Sequence, residues 1–159
     1  MTKSLLKIIL IALLVLFCVG FIFSNSLKNM EQSRADSNVI VEIVEEFVSK
    51  IDPNNRLDLN YIVRKGAHLF EFGVLGILAS LLYLQISKRV SLTPVYLFLF
   101  VGLIAFSDEF IQRFTGRGSR FSDVMIDLVG ASIGICLILL LDLIIKKRRS
   151  EKNGSLASN

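Results

Sequence analysis

Four long apolar blocks constrain the fold of this chain more than any other feature of its sequence. The first, Ile8 to Phe23, contains no charged residue, and the last, Val124 to Ile145, contains only two charged residues, Asp127 and Asp142. A helix needs about 20 mostly apolar residues to cross the hydrocarbon core of a bilayer, and in lipid its backbone must satisfy itself. The blocks therefore predict an all-α polytopic membrane protein with four transmembrane helices. These are expected at about residues 5–23, 67–86, 93–112 and 124–145.

The composition argues against a water-soluble protein, and the motif content argues against a cysteine metal or redox site, a phosphate loop and nucleic-acid binding. Hydrophobic residues make up 53% of the chain and the mean hydropathy is +0.62, whereas soluble domains hold roughly 45–50% apolar residues even with glycine counted. Cys18 and Cys136 both lie inside apolar blocks and form no metal or redox motif. No phosphate-loop glycine pattern and no nucleic-acid motif occurs. We therefore expect membrane lipids as surroundings, with no resident cofactor and no nucleic-acid partner.

Basic residues near the helix ends predict the orientation, because cytoplasmic loops are enriched in Lys and Arg. Lys3 and Lys7 lie at the start of the first helix. Lys88 and Arg89 join the second and third helices, and a KKRR run at 146–149 follows the fourth. Each side of the membrane would carry nine basic residues, but the long first loop also holds seven acids. We expect a multi-pass protein of the cell membrane with cytoplasmic termini.

Two further segments lie outside the apolar blocks. In the first extracytoplasmic loop, residues 24–66, the stretch NVIVEIVEEFVSKID spaces its apolar residues as one face of a helix, which predicts an amphipathic helix. Its acidic polar face disfavours contact with anionic headgroups, so its apolar face is expected to pack over the helix ends. The basic tail, 146–159, is expected to be disordered, which leaves 5–145 as the membrane domain.

Polar residues from three helices are predicted to meet in one layer near the outer surface. Charged groups inside a membrane cost about 2.5–3.5 kcal/mol each on insertion scales, and they usually pair or serve a function. Within each helix, spacings of three and four residues put most of the candidate polar residues on one face. The candidates are Lys65, His68 and Glu71 in the second helix, Asp108, Glu109 and Gln112 in the third, Arg117 and Arg120 in the loop, and Asp123 and Asp127 in the fourth. Gly130 and Gly134 continue the stripe of the last two, where small residues let another helix approach closely.

The sequence DEFIQRF, followed by GR and then by SD with another Asp four residues later, resembles the signature of the VanZ-like family. That family is named for a teicoplanin-resistance membrane protein of glycopeptide-resistant bacteria. Lys65, His68 and Phe72, together with FSNS at the end of the first block, fit the same resemblance, whereas Thr115-Gly116 replaces a Pro-Gly-like turn. The resemblance covers nearly the whole chain. It implies a small integral membrane protein of the cell envelope, without a settled biochemical activity.

Four roles are open for the polar layer. A binding protein would hold a lipid-linked cell-wall precursor or a glycopeptide, or would lower teicoplanin action, as the resemblance implies. An enzyme would act on a phosphate-containing polyprenyl lipid, with Arg117 and Arg120 holding phosphate and His68, Asp108 or Glu109 supplying acid–base catalysis. A structural network would only fix helix packing. One histidine with several carboxylates would suit divalent Mg or Mn better than zinc, although no dense ligand motif assigns a metal.

Overall fold

The computed structural model describes residues 3–51, 58–86, 93–116 and 121–157, which form helices and short connections without a strand. In these ranges the helices are α1 (Lys3–Ser26), α2 (Met30–Ile51), α3 (Leu59–Ile86), α4 (Thr93–Phe114) and α5 (Phe121–Ala157). The described segments long and apolar enough to cross a membrane are Ser4–Ser26, Leu59–Ile86, Pro94–Phe114 and Phe121–Asn153. The predicted fold class, with four membrane-spanning helices, is therefore confirmed, and the chain is a multi-pass membrane protein.

Helices α3 and α5 extend further than the apolar blocks predicted. α3 begins at Leu59, where a backbone N–H of its first turn donates a hydrogen bond to Asp58 Oδ1 at 3.0 Å and caps the helix. α5 continues through the KKRR run, so residues 146–157 are helical, whereas the sequence analysis expected disorder there. Lys and Arg are good helix formers, and the ion pair between Lys146 and Asp142, at 2.6 Å, supports the extension.

Helix α2 contains residues 38–51 of the predicted amphipathic stretch, but its buried polar residues precede that stretch. Reciprocal hydrogen bonds between Asn29 and Gln32, at 2.9 and 3.1 Å, cap its start. Ser33 and Ser37 are buried, and Ser37 Oγ donates to Asn60 Oδ1 of α3 at 2.6 Å. Exposed residues of the apolar face are Val39, Ile40 and Ile43. These exposed residues do not cover the bundle as expected, and Ser37 contacts α3 instead. The side chains of Phe47 and Val48, which belong to the same predicted face, lie outside the described residues.

Helices α3 and α5 form the most extensive contact among the described helices. A Cβ atom at Gly130 would collide with the backbone carbonyl oxygen of Leu69, and one at Gly134 would collide with that of Gly73. The predicted close approach of a helix at Gly130 and Gly134 is therefore confirmed. The same contact sets the neighbouring turns of α3 and α5 against each other, including the turns that carry His68 and the acids of α5.

Successive spans reverse direction, so the end of α1, the start of α3, the end of α4 and the start of α5 meet at one end of the bundle. Hydrogen bonds and ion pairs between these four segments mark that end, which we call the polar end. Apolar side chains fill the bundle below it: Val15, Ile22, Phe72, Leu75, Val101, Ala105, Ala131 and Ile135. Many large apolar side chains on the outside are exposed in the isolated chain, as expected of surfaces that face lipid.

Candidate functional site

One histidine and two carboxylates, delivered by three spans, meet at the polar end. His68 Nδ1 of α3 lies 3.9 Å from Asp108 Oδ2 of α4 and 3.8 Å from Asp127 Oδ1 of α5. The side chain of His68 is 11% exposed, and those of Asp108 and Asp127 are 0% and 2% exposed. We call these three residues the His68 cluster. The structure thus brings together three of the residues that the sequence placed in one layer.

Asp108 accepts hydrogen bonds at both carboxylate oxygens. Ser26 Oγ donates to Oδ1, and Gln112 Nε2 donates to Oδ2 at 2.6 Å. Gln112 also donates to Ser26 Oγ at 3.3 Å, and Thr115 Oγ1 donates to the carbonyl oxygen of Ser26 at 3.1 Å. The last residue of α1 therefore fixes the orientation of Asp108. The sequence analysis did not identify Ser26 as a site residue, although the polar FSNS at the end of the first apolar block was a signal for it.

Glu71 lies one turn after His68 on α3 but faces α1. Asn25 Nδ2 donates a hydrogen bond to Glu71 Oε1 at 2.8 Å. Glu71 therefore contacts α1, a partner that the spacing of the polar residues did not predict. Asn25 is a second residue of FSNS that the sequence analysis did not place in the site.

Lys65 and Asp123 join α3 to α5 at the rim of the polar end. Lys65 Nζ lies 2.5 Å from Asp123 Oδ2, and the two side chains are 18% and 13% exposed. The ammonium group also lies 5.4 Å from the centroid of the Tyr61 ring, within the range of a cation–π contact. Lys65 attracts the negative charge of Asp127, whereas Asp123 repels it. Because Asp123 neutralises Lys65, this ion pair adds no net positive charge against the acids beneath it.

Glu109 follows Asp108 on α4 and is 6% exposed. Neither of its carboxylate oxygens has a hydrogen-bond donor among the residues that the structure describes. It lines a small cleft with Arg113, one turn further along α4, and with Phe121 and Val124 at the start of α5, and its charge repels that of Asp127. Glu109 is thus a buried acid that faces the first turns of α5.

The predicted phosphate-holding pair, Arg117 and Arg120, lies outside the described residues. Other cationic side chains, Lys28 and Arg64, line a pocket of about 110 Å³ between α1, α2 and α3. The polar residues of this pocket include Asn25, Lys28, Asp36, Arg64, His68 and Glu71. We call it the polar pocket. Neither Lys28 nor Arg64 was predicted from the sequence as a site residue.

An apolar groove of about 570 Å³ runs between α1 and α3. Its apolar walls are formed by Leu14, Phe17, Phe21, Phe70, Val74 and Leu78. Ala67 and Glu71 line both this groove and the polar pocket. The two cavities therefore adjoin, one above the other, along the face that α3 presents to α1.

Lys65→Met is expected to lower the free energy of unfolding by about 1–3 kcal/mol, because it leaves Asp123 without its half-buried partner. The double variant Lys65→Met/Asp123→Leu is expected to recover at least half of that loss, as measured by denaturant titration in detergent. Lys28→Met is the control, since it breaks the more exposed pair with Asp36, a kind of pair worth about 0–1 kcal/mol. Strictly additive effects of the two substitutions would contradict a coupled pair.

Comparison with known proteins gives a family for this architecture. The family model described as VanZ/LLP1 matches residues 9–142, which include all four spans in whole or in large part and the whole of the described polar end. No curated protein and no solved structure was found to match. The match covers most of the chain, and it includes the DEFIQRF segment and the acids of α5. The chain therefore belongs to the VanZ/LLP1 family.

Proposed function

We propose that this protein binds a lipid-linked precursor of the cell envelope, with the anionic headgroup in the polar pocket and the apolar chain in the apolar groove. The observation that carries the proposal is that the two cavities share Ala67 and Glu71. A single amphiphilic molecule is thus able to occupy both at once. Neither a soluble anion nor a plain hydrocarbon would use the whole of this surface.

The chemistry of the polar pocket suits a phosphate group. Arg64 is half-buried in its wall. Its Nε donates to the Asn60 carbonyl oxygen at 3.3 Å and its Nη1 to the Met30 sulfur at 2.9 Å, which leaves three of its five N–H donors for a ligand. Lys28, which pairs with Asp36 at 2.7 Å, and His68 lie on the same wall. Arginine is well suited to phosphate because its planar donors match two phosphate oxygens.

The apolar groove suits a long hydrocarbon chain. Its volume of about 570 Å³ falls within the roughly 300–1,000 Å³ typical of ligand pockets. Aromatic and aliphatic side chains of α1 and α3 form its walls, and those helices face lipid elsewhere along their length. A polyprenyl chain would therefore enter from the membrane without crossing water.

The proposed orientation puts the polar end outside the cytoplasm. It rests on the Lys and Arg residues at the opposite helix ends, of which Lys146 to Arg149 directly follow a span. A protein that holds an envelope precursor on the outer side would change how much of it a glycopeptide is able to reach. Lowered teicoplanin action is therefore a proposed consequence of the same binding site.

Binding is favoured over catalysis by the state of Asp108. Both of its oxygens already accept hydrogen bonds from Ser26 and Gln112, so it is better placed to orient its neighbours than to remove a proton from a substrate. The polar pocket is reached by His68 but by none of the acids of α4 and α5. The carboxylates that do line the pocket, Asp36 and Glu71, already contact Lys28 and Asn25.

The test compares a polyprenyl phosphate with the corresponding polyprenyl alcohol in nanodiscs that contain the full-length protein. The phosphate is expected to bind at least about tenfold more tightly, because an arginine–phosphate contact is worth about 1.5–3 kcal/mol. Arg64→Gln is expected to remove that preference, whereas Arg34→Gln, on the exposed side of α2, keeps it. Equal affinities for phosphate and alcohol would count against the proposal, and release of inorganic phosphate would replace binding with catalysis.

A further inference from the structure

We propose that the His68 cluster, together with Glu109, binds one divalent cation of the Mn²⁺ type. The site would join α3, α4 and α5 at the polar end. This proposal does not depend on lipid binding, because Asp108, Asp127 and Glu109 lie outside the polar pocket and the probe is the metal ion alone. Of the cluster residues, only His68 also lines the polar pocket.

The geometry of the His68 cluster is close to that of a metal site. One ligand atom from each of His68, Asp108 and Asp127 lies within 4.8 Å of the others, and the two distances from His68 Nδ1 are 3.9 and 3.8 Å. These separations are longer than a hydrogen bond. Two atoms that bind one ion at about 2.1 Å lie roughly 3.0–3.5 Å apart. Binding an ion would shorten the two distances from His68 Nδ1 by about half an ångström, and would draw the Asp108 and Asp127 ligand atoms, which lie within 4.8 Å of each other, together by up to about 1.3–1.8 Å.

Glu109 supplies an independent observation that points to a cation. Its two carboxylate oxygens are buried, and neither has a hydrogen-bond donor in the part of the chain that the structure describes. Buried charges in proteins are ordinarily paired or coordinate metals. Glu109 faces the first turns of α5 beside Val124 and acts electrostatically on Asp127. Glu109 is not among the residues whose ligand atoms lie within 4.8 Å of one another, so its proposed part is the negative charge that helps to retain the ion.

The charges of the polar end leave room for a cation. Asp108, Glu109 and Asp127 are all buried, whereas the ammonium group of Lys65, which is the cation that acts on Asp127, is already held by Asp123 at 2.5 Å. Within the described residues, the buried acids of this layer are thus not matched by buried cations. A divalent ion would balance two of the three carboxylates.

The surrounding hydrogen bonds orient the proposed ligands. Ser26 and Gln112 donate to Asp108, in the way that outer hydrogen-bond partners commonly fix carboxylate ligands of metals. One imidazole with carboxylate oxygens suits Mn²⁺, since Mg²⁺ favours oxygen alone and structural zinc sites are rich in sulfur and nitrogen. The competing explanation is that a protonated His68 is itself the counter-ion of Asp108 and Asp127.

The experiment uses the full-length protein in detergent, purified through a tag without histidine and stripped with a chelator. Mn²⁺ is titrated while its free signal is followed by electron paramagnetic resonance, and the bound ion is examined for nitrogen coupling by electron spin echo modulation. We expect one bound Mn²⁺ per chain with the coupling of a coordinated imidazole. Because the chain contains a single histidine, that coupling identifies His68 without any substitution.

Substitutions then locate the carboxylate ligands. Asp108→Asn/Asp127→Asn is expected to weaken Mn²⁺ binding by at least about 100-fold, since even outer hydrogen-bond partners are worth 10–100-fold. His68→Gln is expected to abolish the nitrogen coupling. Asp142→Asn is the matched control, because Asp142 lies far along α5 and pairs with Lys146, and it is expected to bind as the wild type does.

Three results would overturn the metal site. They are no Mn²⁺ binding at millimolar concentration, bound Mn²⁺ without imidazole coupling, and unchanged affinity in the Asp108→Asn/Asp127→Asn variant. The first two are measured on the wild-type protein, so they decide the question even if that variant does not fold. Loss of lipid binding in the presence of a normal Mn²⁺ signal would leave the metal site intact and remove only the proposed function.

Discussion

Gly134→Val is expected to prevent most of the protein from reaching its folded state. A side chain at this position would meet backbone atoms of two residues of α3, the carbonyl oxygen of Gly73 and the amide nitrogen of Ile77 at 3.0 Å. Backbone atoms inside packed helices do not move aside as the end of a flexible side chain does, so α3 and α5 would have to separate. Because the contact between these two helices is the most extensive of the described bundle, we expect a loss of more than about 4 kcal/mol, which is exceptional for one substitution.

The measurement is the fraction of protein that elutes as a folded monodisperse species in mild detergent, followed by its thermal unfolding. Gly20→Val is the matched control, because a Cβ atom at Gly20 of α1 has no atom within 4 Å. Both variants place the same β-branched residue inside a transmembrane helix, so helix propensity and membrane insertion are compared directly. Equal recovery of the two variants would show that the α3–α5 contact is not what holds the bundle together.

The sequence predicted the spans and the helix contact because both depend on local patterns. Apolar blocks of sufficient length identify transmembrane helices without knowledge of their neighbours. Likewise, Gly130 and Gly134 lie one turn apart and follow Asp127 on one stripe, so the close approach of a helix at that face followed from spacing alone. The layer of His68, Asp108 and Asp127 was predictable for the same reason, since each lies at a similar distance from the same end of its span.

The partners within the polar layer were not predictable from spacing. Whether Glu71 faces α1 or α4 depends on how α3 is rotated against its neighbours, and the structure shows it accepting a hydrogen bond from Asn25 of α1. The role of Ser26 was not predictable for the same reason, because its hydroxyl donates to Asp108 only when α1 packs against α4. The hydrogen bond from Ser37 to Asn60 shows that a small polar side chain makes a contact between α2 and α3 that hydrophobic periodicity did not predict.

Ala67→Trp is expected to weaken the binding of a polyprenyl phosphate by at least about tenfold while leaving the fold intact. Ala67 lines both the polar pocket and the apolar groove, so an indole at this position would fill the passage between headgroup and chain. Ala67 is exposed in the described structure, so a larger side chain at this position does not disturb the packing of the core. A loss of about 1.4 kcal/mol in binding free energy corresponds to the tenfold change.

The test measures the affinity of each variant for a fluorescently labelled polyprenyl phosphate in nanodiscs, together with the thermal stability of the variant. Ala35→Trp is the control, because Ala35 is exposed on α2 and lines neither cavity. Binding of Mn²⁺ to the Ala67→Trp variant is expected to be unchanged, since Ala67 is not among the proposed ligands. If this variant binds the polyprenyl phosphate as tightly as the wild type does, the two cavities do not act as one site, and the headgroup and chain must be held elsewhere.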